Sequence, residues 1–315
     1  MVLTAVSDSF WPLLGALLLF SPASGAFVAL SEASLADVEP ARREQNMARW
    51  TAAGSLGVLA GSFAIGLVGG IDGGWRLVFF AIAGLAAIIL ALTLRQPIGL
   101  AKDTSVEGGS LLASLGESVV WALESLRRPD VIRWLVLLEV SDLVGDIMLG
   151  YLALYLVDVA GASESEAAVG VALWTAGALA GDFLVIALLE RLRGLTYLRL
   201  NSFATIPLLA AFLLVPGPVP KMTVVAALGC AVGGRYAVLQ AQLFDAVPGR
   251  SASSLALRNV SNLLGSLLPA AIGAAAAAWG LGWAMWLLMA GPVALLIATP
   301  RAERVPTSDE SWGRA

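Results

Sequence analysis

Histidine is absent from this 315-residue chain, and cysteine occurs only once, at Cys230. A single cysteine excludes an intrachain disulfide, and the lack of Cys/His sets excludes the usual zinc sites. Haem ligation by histidine and histidine-based acid–base catalysis are excluded for the same reason. Proton handling must therefore depend on carboxylates, and we expect neither a metal site nor a cofactor.

Charged residues are also scarce, at 13% of the chain, whereas 58% of the residues are hydrophobic and the mean hydropathy is +0.84. Soluble domains carry about 25% charged residues, so water is not the main solvent of this chain. The sequence contains no Walker motif and no Gly-x-Gly-x-x-Gly fingerprint, which leaves direct ATP use and dinucleotide chemistry unsupported. We expect a protein of the lipid bilayer, not an enzyme, with no nucleic-acid partner.

Long apolar stretches are what the chain has in abundance. A helix needs roughly 20 apolar residues to cross about 30 Å of hydrocarbon. Nine stretches qualify, and their Ala, Leu and Gly content without alternation predicts helices rather than barrel strands. The predicted spans are Phe10–Leu35, Thr51–Ile71, Trp75–Leu94, Val131–Val157, Glu166–Leu189, Leu198–Val215, Met222–Phe244, Ser253–Trp279 and Leu281–Thr299. The predicted fold class is an all-α polytopic membrane protein.

Basic residues alternate strongly between the two sides of these spans. Sixteen of the 19 Lys and Arg residues fall on one side, and only Arg76 and Lys221 lie on the other, with Arg235 inside a span. The positive-inside rule makes the basic side cytoplasmic in a bacterial inner membrane, so the C-terminus is predicted inside and the N-terminus outside. A cleaved signal peptide over residues 1–26 is the alternative, but Asp8 and the missing basic start disfavour it.

The chain matches itself without gaps at an offset of 208 residues. Leu35, Asp37, Pro40, Arg42, Ala48, Leu56, Gly57, Leu59, Gly74 and Trp75 recur as Leu243, Asp245, Pro248, Arg250, Ala256, Leu264, Gly265, Leu267, Gly282 and Trp283. Spans one to three would thus duplicate spans seven to nine in the same orientation, as in transporters with two parallel halves. Chance similarity between Ala-rich helices is the alternative, which the matched Asp, Pro, Arg and Trp disfavour.

The repeat leaves spans four to six without partners. A symmetric parent would have twelve helices, so we expect three further helices in about 80 residues ahead of Met1. The predicted domains are residues 1–94 (remainder of the first half), 95–130 (cytoplasmic linker), 131–299 (six-helix second half) and 300–315 (cytoplasmic tail). Leucines at helical spacing in the linker predict an amphipathic surface helix.

Two segments of the chain carry a family resemblance. Residues 35–43, Leu-Ala-Asp-Val-Glu-Pro-Ala-Arg-Arg, with Ala48-Arg-Trp and a Gly-rich span, resemble the fourth-helix end, loop and fifth helix of major facilitator permeases. Residues 181–194, ending in Leu-Glu-Arg-Leu-Arg-Gly, resemble the signature loop of that family's second half. The resemblance implies a pseudo-symmetric bundle with nine of twelve helices present, and transport by rocking of two halves.

Glycines in the second span allow two interpretations. The family's antiporter motif has Gly-Pro where this chain has Gly61-Ser62, which weakens assignment as a drug antiporter and leaves efflux unsupported by that motif. Close packing of small residues at Gly54, Gly57, Gly61 and Gly66 is the interpretation that we favour.

Ionisable residues inside the spans are the candidate site. Each costs about 2.5–3.5 kcal/mol at a helix centre, so such groups face a cavity or one another. They are Glu32, Glu139, Asp142, Asp146, Asp182 and Arg235. The family resemblance implies that spans one, four and seven, which carry five of these six residues, line the central cavity. Polar residues expected near them are Tyr236, Gln240, Asn259 and Asn262.

Glu139, Asp142 and Asp146 have the spacing i, i+3 and i+7, which predicts one shared helical face. Repulsion among three carboxylates favours retention of a proton by at least one of them. Arg235 and Asp142 would lie about 13 and 16 Å from the cytoplasmic ends of their spans, and so can meet across a cavity. A fixed salt bridge between helices is the structural alternative.

These residues predict a secondary transporter of a small organic solute, coupled to protons or another ion. Asp142 is the expected proton carrier, Glu139 and Asp146 would modulate it, and Arg235 would be its switching partner or a clamp for an anionic group. Two alternatives remain open: a truncated membrane protein that transports nothing and acts as a remnant or an assembly or sensor partner, and a membrane-embedded enzyme.

Overall fold

The computed structural model describes residues 1–68, 74–94, 120–121, 124–247, 257, 261 and 265–300, without the side chains of residues 62 and 66. The regular secondary structure of these residues is helical. The helices are α1 (Val2–Ala5), α2 (Phe10–Val38), α3 (Arg43–Val68), α4 (Gly74–Thr93), α5 (Pro129–Ser141), α6 (Met148–Asp158), α7 (Glu164–Leu188), α8 (Gly194–Leu214), α9 (Pro218–Val232), α10 (Arg235–Ala246), α11 (Leu267–Trp279), α12 (Leu281–Ala284) and α13 (Ala290–Ala298).

Seven helical stretches in the described part of the chain are long and apolar enough to cross a membrane. They are Phe10–Val38, Gly74–Thr93, Pro129–Asp158, Glu164–Leu188, Gly194–Leu214, Pro218–Ala246 and Leu281–Ala298. The described part of the chain is all-helical in its regular structure, and the chain is a multi-pass membrane protein. The second and eighth predicted spans are not among the seven: they fall on α3 and on the shorter α11, and much of the eighth lies outside the described residues.

Nine spans and two pseudo-symmetric halves stay predictions. The amphipathic linker and the tail also lie almost wholly outside the described residues.

The helical stretch Pro129–Asp158, which is the fourth span predicted from the sequence, contains a π-helical turn, Leu143–Ile147, between α5 and α6. The amide of Ile147 donates to the carbonyl oxygen of Asp142 at 3.1 Å, a bond across five residues instead of the four of an α-helix. Such a turn places one extra residue in the helix. It begins directly after Asp142 and contains Asp146, where the sequence periodicity assumed a regular helix.

The helical stretch Pro218–Ala246, which is the seventh span predicted from the sequence, is broken at Gly233 and Gly234. Gly234 has a φ of 71°, and a Cβ there would lie 2.5 Å from Cγ1 of Val185, so only glycine fits. The helix α9 ends at Val232, and Gly234 is the N-cap residue of α10, whose first helical residue is Arg235. The span predicted over Met222–Phe244 is present as Pro218–Ala246, but it consists of two half-helices that meet inside the span instead of one continuous helix.

Glycines bring α7 and α9 into close contact. A Cβ on Gly177 would lie 2.2 Å from the carbonyl oxygen of Ala226, and one on Gly181 would lie 2.2 Å from that of Cys230. Gly229 and Gly233 make the reciprocal approach from α9, so each helix presents a pair of glycines four residues apart. The two backbones can therefore pack without intervening side chains.

Small-residue packing was predicted on α3, and within the described part of the chain three of its four glycines show no close contact. An added Cβ at Gly54, Gly57 or Gly61 would meet no atom of the described chain within 4 Å. The α3 glycines have no closely packed neighbour there because α3 approaches α7 and α10 with other residues. The side-chain environment of the fourth, Gly66, lies outside the described part.

The buried core has two parts. One, at the end with the basic connections, contains Met47, Trp134, Leu198, Val238 and Phe244, and the other, towards the opposite end, contains Met148, Tyr155, Phe212, Leu228 and Leu288. The helix α3 packs against α7 and α10 and so joins the N-terminal helices to the rest. Only 6% of the most apolar 18 residues of α2, and likewise of α4, is buried, which leaves the surfaces of these helices to lipid or to other helices.

Candidate functional site

Three adjacent cavities surround Asp146, which lines all of them. We call them the acidic lobe, about 240 Å³, the arginine lobe, about 230 Å³, and the apolar lobe, about 250 Å³. The acidic lobe is lined by Glu139, Asp142 and Asp146; the arginine lobe by Asp142, Asp146, Asp182, Arg235 and Tyr236; and the apolar lobe by Val58, Leu59, Asp146, Leu149, Trp174 and Leu179. Charged groups predicted from separate spans thus meet in one place.

The three carboxylates of the fourth span share the acidic lobe, as their spacing predicted. Glu139 and Asp142 are half-buried and Asp146 is exposed to the cavities. The Glu139 carboxylate lies directly against Gly265, where a Cβ would collide with it. Asp146 lies within the π-helical turn and lines the cavities.

Arg235 projects from the start of α10 and is only 1% exposed. Its Nε donates to the carbonyl oxygen of Val232 at 3.3 Å, whereas Nη1 and Nη2 have no hydrogen-bond partner among the described residues. Asp142 lies near enough to interact with the guanidinium electrostatically. The fixed salt bridge considered from the sequence would need those two nitrogens, and they are not engaged in one.

Asp182 performs a structural task at the helix break. It is 4% exposed and accepts hydrogen bonds from the Ser55 hydroxyl at 2.5 Å and from the Gly234 amide at 2.8 Å. The amide is one of those that a helix N-terminus leaves unpaired, so Asp182 satisfies the broken end of α10. Through Ser55 it also joins α3 to α7.

Glu32 lies beside the cavities rather than in them. It is 2% exposed, and the Tyr236 hydroxyl donates to its Oε1 at 2.8 Å. Tyr236 lines the arginine lobe and also packs against Trp50, with ring centroids 6.3 Å apart. The Glu32 carboxylate is therefore connected to the site through Tyr236.

Gln240 is fully buried on α10, and neither its Oε1 nor its Nε2 has a hydrogen-bond partner within the described part of the chain. It does not line any of the three lobes. Asn259 and Asn262 lie outside the described residues, so their predicted place near the cavity stays a prediction.

A set of polar contacts at the basic end was not foreseen. Arg43 pairs with Asp245 and lies 3.8 Å from Asp37, and these two aspartates occupy the same position of the sequence repeat. Glu44 accepts from the Gly194 amide at 3.0 Å and from Gln242 at 2.8 Å. Burial of Glu44 raises the pKa of its carboxyl group. The equivalence of Asp37 and Asp245 was the signal that sequence could have used.

Comparison with known proteins assigns a family to most of the chain. The sequence profile of the Major Facilitator Superfamily matches residues 1–268. No curated protein matches this chain.

Proposed function

Because the chain belongs to the Major Facilitator Superfamily and is therefore a membrane transporter of the major facilitator type, we propose that it is a secondary active transporter of a small organic solute, coupled to protons. The observation that carries the proposal is Arg235, a buried guanidinium with two nitrogens lacking partners among the described residues, on a cavity that also holds carboxylates. Burial of a charged group inside a membrane span costs free energy, so the burial of Arg235 indicates a functional role.

The position of the arginine lobe supports the proposal of alternating access. Its walls come from α3, in the N-terminal part, and from α5, α7 and α10, in the second part. Such a site between two groups of helices becomes accessible to either side when one group rocks against the other. The lobes, of about 230 to 250 Å³ each, suit a small molecule.

Proton coupling is proposed for the acidic lobe. Three carboxylates that share one cavity repel one another, and binding of a proton relieves this repulsion. We assign the proton to Asp142, because it lines both the acidic and the arginine lobes and interacts with Arg235. Glu139 and Asp146 would adjust its proton affinity, and Asp182 is left to stabilise α10.

The contacts at the basic end support a closed state on that side. Arg43, Glu44 and Gln45 contact α7, α8 and α10 or the connections beside them. By the positive-inside rule this end faces the cytoplasm of a bacterial inner membrane, and the C-terminus lies there. These contacts would break when the cavity opens to the cytoplasm. The division at residues 95–130 into two moving parts belongs to the same proposal.

Solute-dependent proton movement tests this function. The purified chain would be reconstituted into vesicles that contain a pH-sensitive dye, and amino acids, sugars and carboxylic acids would be added singly under a pH gradient. We expect at least one class to produce proton flux that empty vesicles lack. If none of these solutes produces proton flux in vesicles that contain folded protein, the result would support the non-transporting alternative and contradict the proposal.

A further inference from the structure

The guanidinium of Arg235 has the geometry of a receptor for a carboxylate. Its Nη1 and Nη2 are buried and lack hydrogen-bond partners among the described residues, and the side chain lines the arginine lobe. These two nitrogens can donate a parallel pair of hydrogen bonds to the two oxygens of a carboxylate. The residue is also the first of α10, where the positive end of a half-helix favours negative charge.

Carboxylates on the same lobe restrict the charge of the solute. Asp142 and Asp146 line the arginine lobe together with Arg235. A solute with only negative charge would be repelled by these two groups, and one with only positive charge would be repelled by the guanidinium. A solute that carries both charges close together satisfies both walls. Asp182 does not take part, since Ser55 and Gly234 occupy its oxygens.

Asp146 extends this pattern to an apolar surface. It lines the apolar lobe together with Leu149 and Trp174, and it lines the arginine lobe together with Arg235. A positive group held at Asp146 would therefore adjoin both the lobe that contains the guanidinium and a hydrophobic pocket of about 250 Å³. This order of carboxylate site, ammonium site and apolar pocket matches the three substituents of an apolar α-amino acid.

Resting on the transport function proposed above, we infer that the substrate is a zwitterion of the α-amino acid type with an apolar side chain. Arg235 binds its carboxylate, Asp146 receives its ammonium group, and the apolar lobe encloses the side chain. Protonation of Asp142 leaves Asp146 as the partner of the ammonium group, so proton and solute occupy the cavity together.

Binding of leucine and two of its derivatives tests the inference on the purified full chain. Leucinamide lacks the carboxylate and N-acetylleucine lacks the ammonium group, and both keep the side chain. Thermal unfolding would be followed by tryptophan fluorescence at millimolar concentrations of each. We expect leucine to raise the unfolding temperature, because a ligand that binds only the folded state stabilises it, and the two derivatives to leave it unchanged. Equal shifts with all three, or no shift with leucine, would overturn the assignment.

Variants show whether leucine uses this cavity. Arg235→Gln should weaken leucine binding at least about 30-fold, because it removes one partner of a buried charge pair. The matched control is Arg133→Gln, which removes a positive charge beside Asp130, away from the three lobes, and should bind leucine normally. If Arg235→Gln does not fold, Asp146→Asn provides the same test from the ammonium side. Normal leucine binding by either folded variant would contradict the inference.

Uptake separates this inference from the proposed function. Wild-type vesicles that bind leucine but move no solute would support the zwitterion site and contradict transport. Vesicles that move another solute, without leucine binding, would support transport and contradict the zwitterion site.

Discussion

Arg235 and Asp182 are both buried charges on the same cavity, but the fold gives them different partners. Asp182 accepts hydrogen bonds from Ser55 and Gly234, whereas Nη1 and Nη2 of Arg235 have no partner among the described residues. The sequence identified both as charges inside apolar spans, because such charges are costly in lipid. It could not separate their roles, because the Gly234 amide becomes available only where the helix breaks.

Replacement of Asp182 tests its structural role at the residue scale. Asp182→Leu should destabilise the protein by about 1–3 kcal/mol, because the buried Gly234 amide loses its acceptor. Asp182→Asn keeps an oxygen acceptor and should cost less. The apparent unfolding temperature in detergent measures both. If Asn and Leu were equally harmful, the negative charge would matter more than the hydrogen bond to Gly234.

At the scale of elements, the apolar helices were predictable and their irregularities were not. Hydropathy is a local property, so the seven long apolar helices could be predicted from composition alone. The break at Gly233 and Gly234 depends on contacts with α7, more than 40 residues away in sequence. Likewise, glycines pack closely only where a partner backbone comes near, which occurs on α7 and α9 but not at three glycines of α3.

This difference between glycines gives a paired prediction. Gly181→Ala places a methyl group 2.2 Å from the Cys230 carbonyl oxygen and should destabilise the α7–α9 pair by about 1–3 kcal/mol. Gly57→Ala meets open space in the described chain and should change stability by less than about 0.5 kcal/mol, or raise it, since Ala favours helix. Thermal unfolding of the two variants side by side measures the difference. A loss at residue 57 that equals the loss at 181 would contradict the packing described here.

At the scale of the whole molecule, most of the described polar contacts between the N-terminal helices and the rest lie at the basic end; the Ser55–Asp182 and Glu32–Tyr236 contacts lie beside the cavities. Arg43, Glu44 and Gln45 make those at the basic end, with α10 and with the chain around α7 and α8. At the opposite end, Lys221 bonds to the Tyr155 hydroxyl and to carbonyl oxygens of α8, all within the second part. Sequence predicted the membrane and the family but not this asymmetry, because it depends on how separate helices come together.

Cross-linking tests whether the basic end opens during transport. Glu44→Cys and Gln242→Cys would be combined in a Cys230→Ser background, since these two side chains are hydrogen-bonded at 2.8 Å. A short bifunctional thiol reagent should join them and stop solute-dependent proton flux, whereas either single variant should keep its flux after treatment. Full flux in the cross-linked protein would show that this end need not open.

Reporter fusions test the orientation. The basic bias predicts that a reporter active only in the periplasm is silent after Ala315 and active when inserted between Gly161 and Glu164. The second position lies in the connection between α6 and α7, at the end away from Arg43. Reversed signals would place the basic end outside and would exchange the two sides of the proposed cycle.

Uphill accumulation by Asp142→Asn is the most direct test of proton-coupled transport through this cavity. Vesicles would be loaded with a radiolabelled solute that wild-type protein moves, and two rates compared: accumulation driven by a pH gradient and exchange without one. Asparagine cannot carry a proton but has nearly the same shape, and Asp130→Asn, outside the three lobes, is the control. The account predicts that Asp142→Asn loses accumulation and its pH dependence but keeps exchange, whereas wild-type accumulation by a correctly inserted Asp142→Asn protein would contradict it.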